Sequence, residues 1–231
     1  MSTLLDSTGA PLSERRIGRR IFLGALGVGL AGVASGQLLS PLVSSVATLT
    51  TPSEAVPGFQ IYYAGGETAP HFNPATWRLT VGGLVQNKLS LSYHELLNLP
   101  MLAVTRNYHC VTGWEVPNVH WEGVSLMTLA RIAGARSTAK YINVYCTGGV
   151  YSESLAMPSQ AFKPDVMLGY RLNNKPLARV QGAPLRLVVP EMYGYKYAKW
   201  VERVEFSNTQ QFGYWELNGY TVDAYLDPGV Y

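Results

Sequence analysis

The most informative segment of the chain is RNYHCVTGW, residues 106–114, which follows a β-rich run at residues 102–105. It places Cys110 in a loop among histidine, threonine, glycine and tryptophan. A cysteine in such a loop can present a thiolate, a soft ligand that suits a high-valent, sulfur-rich metal centre. The residue types alone leave a second interpretation open, in which Cys110 is a buried structural thiol.

Further motifs downstream of this loop share the order and the spacing of one known family. They are WEGV at 121–124, QGAPLRLVVP at 181–190, MYGYKYAKW at 192–200, GYWE at 213–216 and GY at 219–220. Together with YHCVTGW, they resemble the molybdopterin-binding oxidoreductase domain of the sulfite oxidase family across residues 56–222. The resemblance is greatest to small exported single-domain members, which include the catalytic subunits of periplasmic methionine sulfoxide reductases.

The resemblance assigns roles to particular residues. Cys110 matches the thiolate that ligates molybdenum, and Arg186 matches an arginine that binds the pterin at its phosphate, where a planar charged fork is well suited. The loop at 193–199 carries a glycine that lets backbone amides approach the pterin. The full set of expected cofactor-binding residues is Tyr62, Tyr63, Cys110, Cys146, Gln181, Arg186, Lys196, Tyr197 and Lys199.

The chain departs from the family pattern at several of these positions. Gln181 stands where relatives carry Asn, Asp or His, and it can still hydrogen-bond the pterin. Cys146 stands where relatives carry Thr or Ser, so it is either a contact near the pterin or a small buried residue. A disulfide between Cys110 and Cys146 is not expected, because it would consume the metal ligand. Glu115 and Glu191 are further departures.

The residues around Cys110 also bear on the substrate. Sulfite oxidases carry arginines just after the cysteine, whereas Val111 and Thr112 follow it here. We therefore expect a substrate less charged than sulfite. Cys110, His109 and Tyr193 are the candidate catalytic residues, and Arg106 is a further candidate for the pocket, although His109 also fits a structural role.

Secondary-structure signals favour an α+β fold with a mixed sheet. Ser92 and Glu95 form the pattern of a capping box for a helix at 93–98. Ser125 precedes an apolar face at helical spacing, which Gly134 ends. Strands are expected at 77–81, 102–105, 141–145, 185–189 and 200–206. These elements lack the regular alternation of a doubly wound fold.

The first 47 residues resemble a twin-arginine leader. Arg19 and Arg20 precede a long apolar, glycine-rich run, which is the order of an export signal. An ordinary membrane anchor is the alternative, because residues 21–42 match the ~20 residues that span a bilayer. We expect a retained anchor that holds the body on the periplasmic side, a linker at 48–58 and one domain at 59–231.

Composition excludes a nucleic-acid-binding role for the body. Four of the 18 basic residues and two of the 15 acidic residues precede residue 21, so the remaining 14 and 13 nearly cancel. The 231 residues are 47% hydrophobic and 14% charged, which is enough apolar material for one full core.

The resemblance implies an exported molybdenum-molybdopterin oxidoreductase that transfers an oxygen atom, with sulfoxide reduction as the expected example and a small molecule as substrate. The sequence contains neither a c-type haem motif nor an iron–sulfur cysteine cluster, so we expect a membrane haem protein or another electron-transfer partner. The alternative is a non-catalytic accessory subunit of a respiratory or photosynthetic membrane complex that retains the fold. A thiol-redox protein is disfavoured, since no Cys-x-x-Cys motif is present.

Overall fold

Ten β-strands and three α-helices form the described part of the chain, residues 56–63 and 68–227 of a computed structural model. The strands are β1 (Arg78–Gly83), β2 (Leu89–Ser92), β3 (Leu102–His109), β4 (Glu115–Ser125), β5 (Tyr141–Cys146), β6 (Glu153–Ala156), β7 (Met167–Leu172), β8 (Lys175–Pro176), β9 (Arg186–Val188) and β10 (Val201–Ser207). The helices are α1 (Tyr93–Leu97), α2 (Leu126–Ala133) and α3 (Tyr214–Leu217).

The strands form two five-stranded sheets. The first has the order β2-β1-β10-β5-β6, in which β1 and β10 are parallel and the other neighbours are antiparallel. The second has the order β3-β4-β7-β8, with β9 pairing antiparallel to β7. Trp121 of β4 and Phe206 of β10 are fully buried in one apolar core with Trp200. The expectation of an α+β, mixed-sheet domain is therefore confirmed.

Both predicted helices form where their caps indicated. Ser92 and Glu95 make the reciprocal hydrogen bonds of a capping box at the start of α1. The Ser125 side chain accepts a hydrogen bond from the Thr128 amide at the start of α2. Gly134 ends α2 in a left-handed conformation with φ of 65°, which glycine adopts without strain.

The Cys110 loop joins β3 to β4, two antiparallel strands of the second sheet. β3 continues to His109, four residues beyond the expected strand, because His109 still pairs with Glu115 of β4. The Cys110 amide donates to the Trp114 carbonyl at 2.9 Å and closes the loop. Gly113 has φ of 99°, a conformation that favours glycine and that completes the turn.

The segment from 179 to 201 folds back on itself beside this loop. Its short strand β9 pairs with β7, and the Leu187 amide donates to the Ala198 carbonyl at 2.8 Å. A β-bridge joins Arg186 to Lys199. The fold thus brings two cations that are thirteen residues apart in the sequence to neighbouring positions.

The expected leader at 1–47 and most of the linker lie outside the described residues. Within residues 56–63 and 68–227, none of the helices has both the length and the apolar character that crossing a membrane requires. The described chain begins with a short segment in which Phe59 and Ile61 are buried against the core.

Candidate functional site

A pocket opens beside the Cys110 loop. Its wall is largely aromatic and uncharged, and it includes two cationic side chains. The lining residues are Phe59, Gln60, Ile61, Tyr62, Tyr108, Cys110, Val111, Thr112, Tyr151, Val180, Arg186, Gly194, Tyr195, Tyr197, Lys199, Trp215 and Tyr220. They come from segments that are far apart in the sequence, so only the folded chain forms the pocket.

Cys110 lies in this wall as a free, half-buried thiol. Its sulfur accepts a hydrogen bond from the Thr112 hydroxyl at 3.2 Å. Burial raises the pKa of the Cys110 thiol, while hydrogen bonds from Thr112 and from the backbone of Val111 act in the opposite direction. No disulfide joins Cys110 to Cys146 in the described part of the chain.

Arg186 is a buried cation in an aromatic cage. Its guanidinium carbon lies 5.6 Å from the ring centre of Tyr108, 5.9 Å from that of Trp121 and 5.7 Å from that of Tyr197. One guanidinium nitrogen donates a hydrogen bond to the backbone carbonyl of Gln181 at 3.1 Å. Nε has no partner, and no carboxylate forms an ion pair with Arg186, among the residues that the structure describes.

Burial in this aromatic cage also changes the pKa values of the tyrosines that form it. Burial raises the pKa of Tyr108 to about 12, although the nearby Arg186 charge acts to lower it. Burial also raises the pKa of Tyr197. Both hydroxyls are therefore neutral at physiological pH and supply no negative charge to balance Arg186. A buried cation in this situation favours an anion from outside the protein.

Lys199 is the second cation of the pocket. Its ammonium donates to the Tyr62 carbonyl at 2.8 Å and lies 5.0 Å from the ring centre of Tyr63 and 4.3 Å from that of Tyr151. The Tyr62 ring stacks on Trp114, whose indole nitrogen donates to the Tyr62 hydroxyl at 3.3 Å. Tyr62 thus lines the pocket, while Tyr63 contacts Lys199 from outside the lining. Their roles as cofactor contacts stay predictions.

Gln181 and Gly182 form the turn that precedes Arg186. The Gln181 side chain is fully buried, and neither of its amide atoms has a hydrogen-bond partner within residues 56–63 and 68–227. Gly182 has φ of 110°, and a Cβ there would lie 3.2 Å from the Lys199 Cα. The turn thus needs glycine for its backbone conformation, and it leaves a buried amide that a ligand could satisfy.

Comparison with known proteins decides the family. The family model for the oxidoreductase molybdopterin binding domain matches residues 66–215. The chain belongs to this family. It is the molybdopterin-binding oxidoreductase domain of the sulfite oxidase family, so the principal expectation from the sequence motifs is confirmed.

Three members of the family are about one third identical in sequence to this chain over the aligned residues. The chain is 32% identical over 164 residues to "Uncharacterized oxidoreductase YuiH" of Bacillus subtilis strain 168, covering 70% of this chain and 80% of that protein. It is 33% identical over 162 residues to a putative protein-methionine-sulfoxide reductase subunit, YedZ1, of Azospira oryzae, covering 70% and 60%. It is 30% identical over 181 residues to the protein-methionine-sulfoxide reductase catalytic subunit MsrP of Campylobacter jejuni, again covering 70% and 60%.

A solved structure supports the fold. The chain is similar to the sulfane dehydrogenase SoxCD from Paracoccus pantotrophus with a TM-score of 0.57 and 21% identity. The similarity covers 76% of this chain and 54% of that chain. At this identity, the comparison establishes the fold and leaves the reaction open.

The molybdopterin-binding family implies a molybdenum-molybdopterin cofactor, and the pocket residues fit one. The buried Arg186 has an unused donor and an unbalanced charge among the described side chains, which suits a phosphate. The unpaired amide of Gln181 suits the polar edge of a pterin. Cys110 supplies a soft sulfur in the same pocket, which suits molybdenum.

Of the other residues expected to contact the cofactor, one lines the pocket and two lie outside its lining. Tyr197 lines the pocket and packs on Arg186. Lys196 lies outside the pocket lining, and its ammonium instead contacts Glu153 at 2.5 Å and Glu216 at 2.6 Å. Cys146 also lies outside the lining, where its thiol donates to the Tyr151 carbonyl at 3.2 Å.

His109 and Tyr193, the other candidate catalytic residues, are not among the residues that line this pocket. His109 is buried and contacts Glu115 at 3.3 Å. Side chains alternate along β3, so His109 lies on the opposite face of the strand from Tyr108, which lines the pocket. The Tyr193 hydroxyl donates to Asp227 at 3.0 Å. Arg106 contacts Asp165 at 3.3 Å. Catalytic roles for His109 and Tyr193 stay predictions.

Sequence reasoning missed several residues of the pocket. Thr112 contacts the sulfur of Cys110, and Tyr151 packs on Lys199. Trp215 and Tyr220 lie in a family motif and line the pocket, so the motif could have indicated them. Thr112 lies in the motif YHCVTGW, which could have indicated it in the same way. Tyr151 gave no comparable signal, because its position depends on non-local packing.

Proposed function

We propose that the protein is an exported molybdenum-cofactor oxidoreductase that transfers an oxygen atom, with a neutral sulfoxide as substrate. The observation that carries this proposal is the placement of Cys110, Arg186 and Lys199 in the wall of one pocket. A soft metal ligand and two cations meet there, which matches the needs of a metal bound to a phosphate-bearing pterin.

Each residue then has a distinct task. Cys110 would ligate the metal, Arg186 would bind the phosphate of the pterin, and Gln181 would hydrogen-bond its polar edge. Lys199 is held by the Tyr62 carbonyl, so its charge stays directed at the cofactor. When bound, the cofactor supplies two-electron chemistry as molybdenum cycles between the +6 and +4 states.

The uncharged part of the pocket supports a neutral substrate. Phe59, Trp215 and Tyr220 present apolar and aromatic surface beside Cys110. The residues after the cysteine, Val111 and Thr112, carry no charge that would bind sulfite. A sulfoxide combines a polar oxygen with an apolar remainder, and such a ligand matches an aromatic pocket with a few polar groups.

Two relatives support the assignment of a sulfoxide and of a partner. One is named as a catalytic subunit and the other as a putative subunit of protein-methionine-sulfoxide reductases. The chain spans only 60% of either relative, so the substrate and the partner are proposed for it by analogy. We propose that a membrane haem protein or a comparable redox subunit supplies the electrons, and that the N-terminal segment anchors the chain on the periplasmic side.

The first experiment measures molybdenum in protein purified from cells that make the cofactor. We expect about one molybdenum per chain and less than a tenth of that in Cys110→Ser, which exchanges a soft sulfur for a hard oxygen. Thermal melting of Cys110→Ser must show a folded protein for the comparison to count. Wild-type protein without molybdenum would contradict the proposal and favour the accessory-subunit alternative.

The second experiment identifies the substrate class. Wild-type protein is assayed with a reduced dye as electron donor against methionine sulfoxide, and with an oxidised dye against sulfite. We expect turnover with the sulfoxide and more than ~100-fold weaker activity with sulfite, because the charged anion lacks a dedicated cation in the uncharged part of the pocket. Preferred turnover of sulfite would contradict the assigned substrate.

A further inference from the structure

Thr112 lies two residues after Cys110 in the loop between β3 and β4. Its hydroxyl donates to the Cys110 sulfur at 3.2 Å, which is an ordinary distance for a hydrogen bond to sulfur. The side chain is half-buried, and it lines the pocket beside Cys110. The hydroxyl is thus directed at the atom to which the proposed function assigns the metal.

The loop holds this geometry in place. The Cys110 amide donates to the Trp114 carbonyl at 2.9 Å, and the Gly113 amide donates to the Cys110 carbonyl at 3.0 Å. Trp114 is fixed in turn by stacking on Tyr62. Because Thr112 is β-branched, its χ1 rotamers are also restricted. The donor is therefore positioned before any ligand arrives.

A hydrogen bond to a metal-bound thiolate changes how strongly the sulfur donates electrons. A donor withdraws electron density from the sulfur, so the thiolate stabilises the higher oxidation state of the metal less well. The reduced metal becomes relatively more favourable, and the reduction potential rises. Hydrogen bonds to ligand sulfurs are an established way in which proteins tune metal centres.

We infer that Thr112 is a positioning residue that orients the Cys110 sulfur and raises the reduction potential of the molybdenum centre through its hydroxyl hydrogen bond. This inference rests on the proposed function for the presence of the metal. The hydrogen bond itself is a property of the chain, and it can be tested without the cofactor.

Two substitutions separate the hydroxyl from the shape of the side chain. Thr112→Val replaces the hydroxyl by a methyl group of similar size, whereas Thr112→Ser keeps the hydroxyl. Thr105→Val is a matched control on the same hairpin, where the lost hydroxyl contacts His120 at 3.0 Å instead of the site. All variants are compared at equal molybdenum content.

The main readout is a redox titration followed by the electron paramagnetic resonance signal of Mo(V), recorded without substrate. We expect Thr112→Val to have a more negative midpoint potential. At a fixed applied potential, its ratio of oxidised to reduced metal should rise roughly tenfold, which corresponds to one hydrogen bond to a charged group. Thr112→Ser and Thr105→Val should match wild type. An unchanged potential and spectrum in Thr112→Val would overturn the inference.

The cofactor-free arm separates failure of this inference from failure of the proposed function. The S–H stretching band of Cys110 is recorded by infrared spectroscopy and assigned by its absence in Cys110→Ser. We expect the band to move in Thr112→Val and to keep its position in Thr112→Ser. If wild-type protein lacks molybdenum, the proposed function fails while this band still tests the hydrogen bond. A band unmoved in Thr112→Val would overturn the inference.

Discussion

Arg186 shows how a single buried residue can indicate the charge of the ligand that a pocket binds. It is 5% exposed and lies among three aromatic rings, with no ion-pair partner among the described carboxylates. A buried charge of this kind destabilises the protein unless a counter-charge is present. We interpret this loss of stability as a consequence of the need to bind an anionic cofactor.

Arg186→Met should separate cofactor binding from folding. We expect molybdenum and pterin content to fall below about a tenth of the wild-type level, because the phosphate loses its charged, two-pronged donor. The melting temperature of the cofactor-free protein should be unchanged or higher, since replacing buried ionic groups by apolar ones is often neutral or stabilising by ~1–4 kcal/mol. Elemental analysis, pterin fluorescence and calorimetry measure the three quantities.

A surface arginine provides the control for this experiment. Arg203 is about half exposed and contacts Glu205 at 3.0 Å, so Arg203→Met should retain the cofactor. Arg186→Lys should bind less cofactor than wild type, because a lysine cannot form the paired hydrogen bonds of a guanidinium. Full cofactor content in Arg186→Met would show that Arg186 does not bind the phosphate.

Lys196 joins elements that are far apart in the chain. Its ammonium contacts Glu153 of β6 at 2.5 Å and Glu216 of α3 at 2.6 Å, and all three side chains are at most 2% exposed. Gly213 at the start of α3 leaves room for this cluster, because a Cβ there would lie 2.5 Å from oxygens of both carboxylates. The cluster therefore fixes α3, which carries Trp215 into the pocket wall.

Breaking this cluster should destabilise the fold strongly. Lys196→Met removes the cation from two buried, mutually close carboxyl groups, and we expect the free energy of unfolding to fall by ~3–5 kcal/mol. Lys163→Met is the control, because Lys163 and Glu191 form a more exposed ion pair, where a loss of about 0–1 kcal/mol is typical. Denaturant unfolding of the cofactor-free proteins measures both. Equal losses in the two variants would contradict the importance of the cluster.

The same cluster should make stability depend on pH. Burial raises the pKa of Glu153 to about 8 against the opposing effect of Lys196, and Glu216 raises it further. The ordinary pKa of a glutamate in the unfolded chain is ~4.3. At any pH between the two pKa values, the chain therefore takes up a proton on Glu153 when it folds. The contribution of Glu153 is therefore fully present below the lower pKa and is lost as the pH rises through the upper one.

Melting temperatures across this interval test the pH effect. Wild-type protein should melt at progressively lower temperature as the pH rises from about 5 to about 8, because folding takes up a proton on Glu153 throughout this range. Glu153→Gln carries no titrating group at this position, so its melting temperature should change less. An identical pH dependence in the two proteins would show that Glu153 is not the titrating group.

Local signals predicted the helices, while non-local pairing determined the strands. The capping residues of α1 and α2 act within four residues of the helix start, so both helices could be predicted from short stretches of sequence. β3 extends to His109 only because β4 lies opposite. The cluster of Glu153, Lys196 and Glu216 gave no signal, because its members are separated along the chain and meet only after both sheets have formed.

At the scale of the whole molecule, the family resemblance indicated pocket residues that could not be predicted from residue type alone. Residues 59–62, the Cys110 loop and the segments at 180–199 and 215–220 form one wall. The family motifs pointed to most of these segments. They did not indicate that His109 and Tyr193 lie outside the lining, because strand alternation and a contact with Asp227 set those orientations.

Export is the remaining prediction for the whole molecule. The twin-arginine route carries folded proteins, which would suit a chain that acquires its cofactor in the cytoplasm. Replacing Arg19 and Arg20 together by lysine keeps the positive charge but removes the arginine pair. We expect this variant to remain in the cytoplasm with its molybdenum, while wild-type protein reaches the periplasmic side of the membrane.

The control uses the neighbouring pair. Replacing Arg15 and Arg16 by lysine makes the same chemical change in the same basic segment, so that variant should be exported normally. Fractionation and protease access in spheroplasts locate each protein, and metal analysis shows whether it is loaded. Export of both variants at the wild-type level would instead favour an ordinary membrane anchor, because the flanking positive charge is all that such an anchor needs.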